Sequence, residues 1–251
     1  MNGGNSMPRI YLSPSLQENN PYVIGGTEEG YMNLVADAME PYLVSNGIAF
    51  TRNRPEQTLS QVIAESNASF YDLHLALHSN AAGEANAGQV RGTDIYYYTP
   101  STEGKRAADF IVDTMKEIYP LPDRVRSVPT TALAEVRRTN APSVLAEIAY
   151  HDNVADATWI RDNINGIARA MVQALALYFN IPFIEATAPR TGVVSTAGGA
   201  LNIRSRPTVT AAVVGTIPNG AAVTVNGRFD EWYVVNYNGT IGYANRSFIV
   251  I

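Results

Sequence analysis

The sequence predicts an α/β domain, with a mostly parallel sheet flanked by helices, followed by a small all-β barrel. Three observations carry this. Up to about residue 184, short apolar runs alternate with segments of helical period, the pattern of βαβ units. Beyond that point the helical period disappears, and short strand-like runs are separated by Pro-Asn-Gly and Asn-Gly turns. The chain has 251 residues, 46% of them hydrophobic, which is enough for a substantial core.

The elements follow in order. "RIYLSP" reads as a strand. In "EEGYMNLVADAMEPYL", Met32, Val35, Ala36, Met39 and Leu43 keep the spacing of a buried helical face, with Pro41 expected to bend or end the last turn. "GIAFTR" (strand), "LSQVIAESNA" (helix) and "DLHLALH" (strand) come next, then "GTDIYYYTP" (strand) and "GKRAADFIVDTMKEIY" (helix). "PSVLAEIAYHDN" reads as a strand running into a loop, and "DATWIRDNINGIARAMVQALALYF" as one long helix. The predicted division is 8–183 for the α/β domain, 184–191 for a linker and 192–251 for the barrel.

A net charge of −5 provides no basic field for nucleic acid. No cysteine is present, so disulfides and thiolate metal sites are excluded. No apolar run is long enough to span a bilayer. "MNGGNSMPRIYLSP" lacks a basic segment followed by an apolar one, so a signal peptide is expected to be absent or trimmed.

In a parallel sheet, chemistry sits at the carboxyl ends of the strands. His78 closes "DLHLALHSN", and alternation puts His74, Ala76 and His78 on one side. An imidazole at that end suits a zinc ligand or a general base, or is simply hydrogen-bonded at a strand terminus. His74 lies deeper and fits a buried structural role. Glu29 opens the first long helix after "GGTEE". It either complements the helix dipole or projects towards a metal. Glu147 lies inside the apolar strand "VLAEIAYHDN", where an unpaired carboxylate is costly. It is a candidate general base with a raised pKa, or one half of a buried salt bridge to Arg137 or Arg138. One histidine and two glutamates at strand and helix ends are the parts of a zinc hydrolase.

Taken together, "TEEGYMNLVADAMEPYLVSNGI", "YDLHLALHSNAA", "GTDIYYYTP" and "RRTNAPSVLAEIAYHDNVADATWI" resemble the zinc-dependent N-acetylmuramoyl-L-alanine amidases of the Amidase_3 type, over roughly residues 8–182. The resemblance implies hydrolysis of the amide between muramic acid and L-alanine in peptidoglycan. It puts Glu29 and His78 on zinc and Glu147 at the catalytic glutamate. One part departs. Where that family has Asp-Pro-Gly-His-Gly-Gly with a zinc-binding histidine, this chain has "SPSLQENNPYVIGG". Gln17, Glu18, Asn19 and Asn20 stand nearby. His151, four residues past Glu147, is the expected third ligand, because imidazole binds zinc better than an amide does. A loop histidine contacting substrate is the alternative.

The tail, with "ALNIRSRPTVTAAVVGTIPNGAAVTV" and "WYVVNYNGTIGYANRSFI", resembles bacterial SH3 (SH3b) domains, which implies binding to wall peptide. Trp232, Tyr233, Tyr237 and Tyr243 line an aromatic groove or form barrel core. The implied workplace is extracellular or the cell wall. Two rivals remain at this stage: a non-catalytic wall-binding protein with a degenerate metal site, and a zinc peptidase acting on the stem peptide.

Overall fold

A computed structural model describes residues 6–251. Residues 9–39 and 50–178 form one compact unit. Residues 40–49 and 179–251, with the described residues before Arg9, form the other.

Along the first part of the chain run β1 (Arg9–Pro14), α1 (Glu28–Ser45), β2 (Ala49–Arg52), α2 (Leu59–Asn67), β3 (Leu73–Asn80) and β4 (Thr93–Tyr98). They are followed by α3 (Thr102–Lys116), β5 (Val125–Thr130), α4 (Ala134–Arg137), β6 (Ser143–Tyr150), α5 (Val154–Asp162) and α6 (Ile164–Phe179). The six strands make one sheet in the order β2-β1-β3-β6-β4-β5. β1, β3 and β6 are mutually parallel neighbours, and β4 is parallel to β5. β4 against β6 is antiparallel, which makes the sheet mixed.

Strands β3 and β6 are buried along nearly their whole length, which is why they read as continuous apolar runs rather than alternating ones. The ionisable exceptions in those runs are His74, His78 and Glu147.

Two local expectations change. Helix α1 does not stop at Pro41 but continues to Ser45. It ends in a Schellman cap: Ile48 N–H donates to Leu43 O, Gly47 N–H donates to Val44 O, and Gly47 sits at φ 69°. The last helical run is two helices. Asn163, at φ −124°, interrupts it, and its side-chain amide donates back to Trp159 O.

The second unit carries β7 (Arg190–Val194), β8 (Leu201–Arg204), β9 (Val213–Ile217), β10 (Ala222–Phe229), β11 (Trp232–Tyr237), β12 (Thr240–Asn245) and β13 (Ile249–Val250). Their order is β13-β7-β10-β11-β12-β8-β9. Asn238 and Gly239, both at positive φ, close the tight hairpin between β11 and β12. Alternation along β11 separates the aromatics. Trp232 is buried in a cluster with Ile184, Val234 and Tyr243, whereas Tyr233 and Tyr237 pack against the other cluster, around Val235. These four side chains therefore do not line one groove.

Candidate active site

The carboxyl ends of β1, β3 and β6 open on a cleft of about 530 Å³. Its lining includes Ser13, Gln17, Val62, His78, Glu135 and Glu147. Parallel pairing sets the positions: Pro14 is in register with Leu77, and His78 with Glu147. Past β1 the chain turns through Gln17 and Asn20 and enters α1 at Glu28.

Glu28 is 1% exposed, and its charge is satisfied by hydrogen bonds rather than by water. Its Oε1 lies 2.8 Å from His78 Nδ1, and its Oε2 accepts from Asn20 Nδ2 at 2.8 Å. Burial works to raise the pKa of Glu28, but the hydrogen bond and charge of His78, with the bond from Asn20, bring it below the usual value. Gln17 Nε2 completes the group, 3.3 Å from His78 Nδ1 and 3.4 Å from Glu28 Oε1. Gln17 Oε1 accepts from Asn20 Nδ2 at 2.6 Å.

On its other nitrogen, His78 faces Glu135, with Nε2 3.8 Å from Oε2. Glu135 enters from the short helix α4 and also takes the Ser13 hydroxyl and His74 Nε2, the latter at 2.9 Å. A carboxylate only accepts, so His74 Nε2 donates to it, and His74 Nδ1 lies 2.9 Å from Ser66 Oγ. Burial pushes the Glu135 pKa up, but its bonds to His74 and His78 outweigh that and hold it far below the carboxylate range. Burial likewise disfavours charge on His78. The carboxylates of Glu135 and Glu28, with the charge of Glu147, outweigh it and push His78 up to about 10.

Glu147 is unlike the other two glutamates. Its Oε2 is buried with no hydrogen-bond partner, and neither Arg137 nor Arg138 pairs with it. Burial is the main cause of a pKa raised to about 7; His78 lowers it, and the charges of Glu28 and Asp94 raise it. Asp94 stands beside it on β4, in register, and is itself paired with Arg126 at 2.6 Å.

The four residues singled out from the sequence thus separate. His78 and Glu147 come together in the cleft. Glu29 lies one residue past the carboxylate that meets His78: that carboxylate belongs to Glu28, and the side chain of Glu29 makes none of these bonds. His151 is buried elsewhere, its Nδ1 3.0 Å from Ser79 Oγ and 2.9 Å from Ser79 O, its ring stacked on Tyr22. Ser79 points away from His78 by strand alternation. Glu135 was missed altogether, although a glutamate between apolar residues in "LAEVRR" carried the same signal as Glu147.

Among the described residues, no three His, Cys, Asp or Glu side chains gather as ligands of one ion. What converges is one imidazole, one carboxylate and one amide. The first two are ordinary zinc donors and leave open positions, so this donor set fits a zinc ion in part and lacks a second imidazole.

A model of the family described as N-acetylmuramoyl-L-alanine amidase (Amidase_3) matches residues 10–176, and one for the bacterial SH3 domain matches residues 199–250. The probable cell wall amidase LytH of Staphylococcus aureus is 27% identical over 156 residues, 61% of this chain and 50% of that protein. The chain thus spans about half the length of the curated relatives it matches. Among solved structures, the amidase AmiC2 of Nostoc punctiforme superposes with a TM-score of 0.61 at 18% identity, covering 70% of this chain and 99% of that one. An N-acetylmuramoyl-L-alanine amidase from Clostridium difficile 630 gives 0.62 at 18%, over 70% and 98%. These likenesses show a shared fold for the first domain.

Proposed function

We propose, because the chain belongs to the N-acetylmuramoyl-L-alanine amidase family, that it hydrolyses the amide between the lactyl group of muramic acid and L-alanine of the peptidoglycan stem. One observation carries a catalytic reading above a purely binding one. Glu147 sits at a strand end in a cleft, with an unpartnered buried oxygen and a pKa near 7, the property a general base needs at neutral pH.

The family is generally zinc-dependent. In this chain His78 Nδ1 and Glu28 Oε1 would hold the ion. Bound there, it would make a water molecule nucleophilic near neutral pH and polarise the scissile carbonyl. The residues supply the rest. Glu147 takes a proton from the attacking water as its oxygen bonds to the carbonyl carbon. The same carboxyl then gives that proton to the nitrogen as the C–N bond breaks, so the amine leaves neutral and Glu147 is regenerated. Asn20 holds Glu28 Oε2 and leaves Oε1 turned to His78. Glu135 faces His78 Nε2 and fixes the ring with Nδ1 towards Glu28, as carboxylates behind metal-binding imidazoles do.

Residues 8–183 are the catalytic part in this reading, and residues 192–251 are the module that holds the chain on wall peptide. Action is then at the cell wall. No helix among the described residues is long and apolar enough to cross a membrane. A second reading, a wall-binding protein without turnover, is favoured by the amide standing where a third ligand belongs. Incubation with purified peptidoglycan, with and without chelator, separates the two. New L-alanine amino termini that vanish with chelator support the amidase. Termini inside the stem would indicate a peptidase instead, and sedimentation with walls without new termini would indicate a binder.

A further inference from the structure

We propose that Gln17 is the third protein ligand of the divalent ion held by His78 and Glu28, binding through its side-chain carbonyl oxygen; this rests on the metal-dependent reading above. The geometry is a triangle. His78 Nδ1, Glu28 Oε1 and the Gln17 amide terminus are separated by 2.8, 3.3 and 3.4 Å. Donors about 2 Å from a shared zinc in tetrahedral arrangement stand roughly 3.3 Å from one another.

The backbone around Gln17 is tied down on both sides. Ser15 N–H donates to Leu77 O at 2.9 Å, and Gln17 N–H donates to Ser15 Oγ at 3.2 Å. Gln17 O accepts from Asn20 N–H at 3.3 Å. Loading the ion therefore asks for rotation of one terminal amide, about a soft torsion, and no movement of the loop.

Without an ion, His78 Nδ1–H and Gln17 Nε2–H both turn to Glu28 Oε1, the acceptor they share. A cation between them reverses the amide and draws its oxygen in. The turn has a cost. Asn20 Nδ2 now donates to both Gln17 Oε1 and Glu28 Oε2. After rotation it faces an amide N–H, so the Asn20–Gln17 bond is lost while the Asn20–Glu28 bond stays. Leu16, which precedes Gln17, carries no donor atom, and His151 is engaged with Ser79 and Tyr22. The resulting site has one nitrogen and two oxygens, one of them neutral. It should bind zinc more weakly than a two-imidazole site and discriminate less against Mn²⁺.

The test uses the full chain stripped with chelator, titrated separately with Zn²⁺ and Mn²⁺ by calorimetry, and the absorption spectrum of the Co²⁺-loaded protein. Gln17→Ala should weaken Zn²⁺ binding at least about tenfold, since loss of an outer partner alone costs 10–100-fold. Gln17→His should tighten Zn²⁺ and shift the Co²⁺ spectrum. His151→Ala should change neither. Equal thermal unfolding of the metal-free variants controls for folding. If Gln17→Ala binds as tightly as the wild type while His78→Ala abolishes binding, the proposal falls and the amidase reading stands. If the wild type binds no ion at millimolar concentration, both the ion reading and this proposal are overturned.

Discussion

His78 and Glu147 stand opposite each other in register on adjacent parallel strands, and each sets the proton affinity of the other. The charge of Glu147 helps keep His78 protonated, and the charge of His78 holds down a carboxyl that burial pushes up. The balance leaves Glu147 near pH 7. It comes from burial of the carboxyl and from the charges around it, since no hydrogen bond fixes Oε2 of Glu147.

Glu147→Gln should therefore abolish proton transfer and keep the site. Turnover on peptidoglycan should fall by about 10²- to 10⁴-fold, with metal binding retained. Release of L-alanine amino termini measures the first, and calorimetric titration with Zn²⁺ the second. A fully active variant would show that the base is another group.

The same carboxyl makes stability depend on pH. Its folded pKa, about 7, lies above its unfolded value of 4.5. The folded state then holds the proton more tightly, and that contribution is complete below pH 4.5 and lost as pH rises through 7. At one pKa unit per 1.36 kcal/mol the loss is about 3 kcal/mol. In chelator-treated protein, Glu147→Gln should remove this slope, so the variant gains on the wild type between pH 4.5 and 7. Urea unfolding at several pH values measures it, and parallel curves for the two proteins would contradict it.

The strand ends were legible because parallel strands buried on both faces leave polar residues conspicuous, and His78 and Glu147 broke otherwise apolar runs. Glu28 against Glu29 was harder, because adjacent glutamates both start the helix. The phase was available all the same: at 100° per residue, Glu28 lies nearer than Glu29 to the middle of the stripe of Met32, Val35, Ala36, Met39 and Leu43. Glu135 could not be placed from sequence, since its partners His74, His78 and Ser13 are distant in the chain and meet it only across the sheet. His151 was misleading for a different reason: the favoured ligand chemistry of imidazole says nothing about which side of the strand it occupies.

Glu135→Ala should be the most destabilising of the site substitutions. It leaves His74, fully buried, without the acceptor for Nε2, and strips His78 of one counter-charge. Breaking one partner of a buried pair costs about 3–5 kcal/mol. Because the folded pKa of Glu135 is depressed, its contribution is present above the unfolded value of 4.5 and lost as pH falls towards the folded one. Urea midpoints at neutral and acid pH test both parts: the gap between wild type and variant should narrow on acidification.

His151→Ala should cost stability and leave the metal alone. It removes the bond to Ser79 and the stacking on Tyr22, worth about 1–3 kcal/mol together. Thermal unfolding shows the loss. Unchanged Zn²⁺ affinity after correction for folded fraction would separate this propping role from a ligand role.

Metal binding should release a proton, and its affinity should rise with pH. In the metal-free protein His78 is protonated up to about pH 10, held so by Glu28, Glu135 and Glu147. A ligand nitrogen must be free of its proton, so below that pH each unit of acidification should lower the apparent affinity about tenfold. Calorimetric titration with Zn²⁺ in buffers of different ionisation enthalpy counts the protons directly. One proton released per ion at pH 8 is the expected result, and none would mean that Nδ1 is already free and that His78 is neutral before the ion arrives.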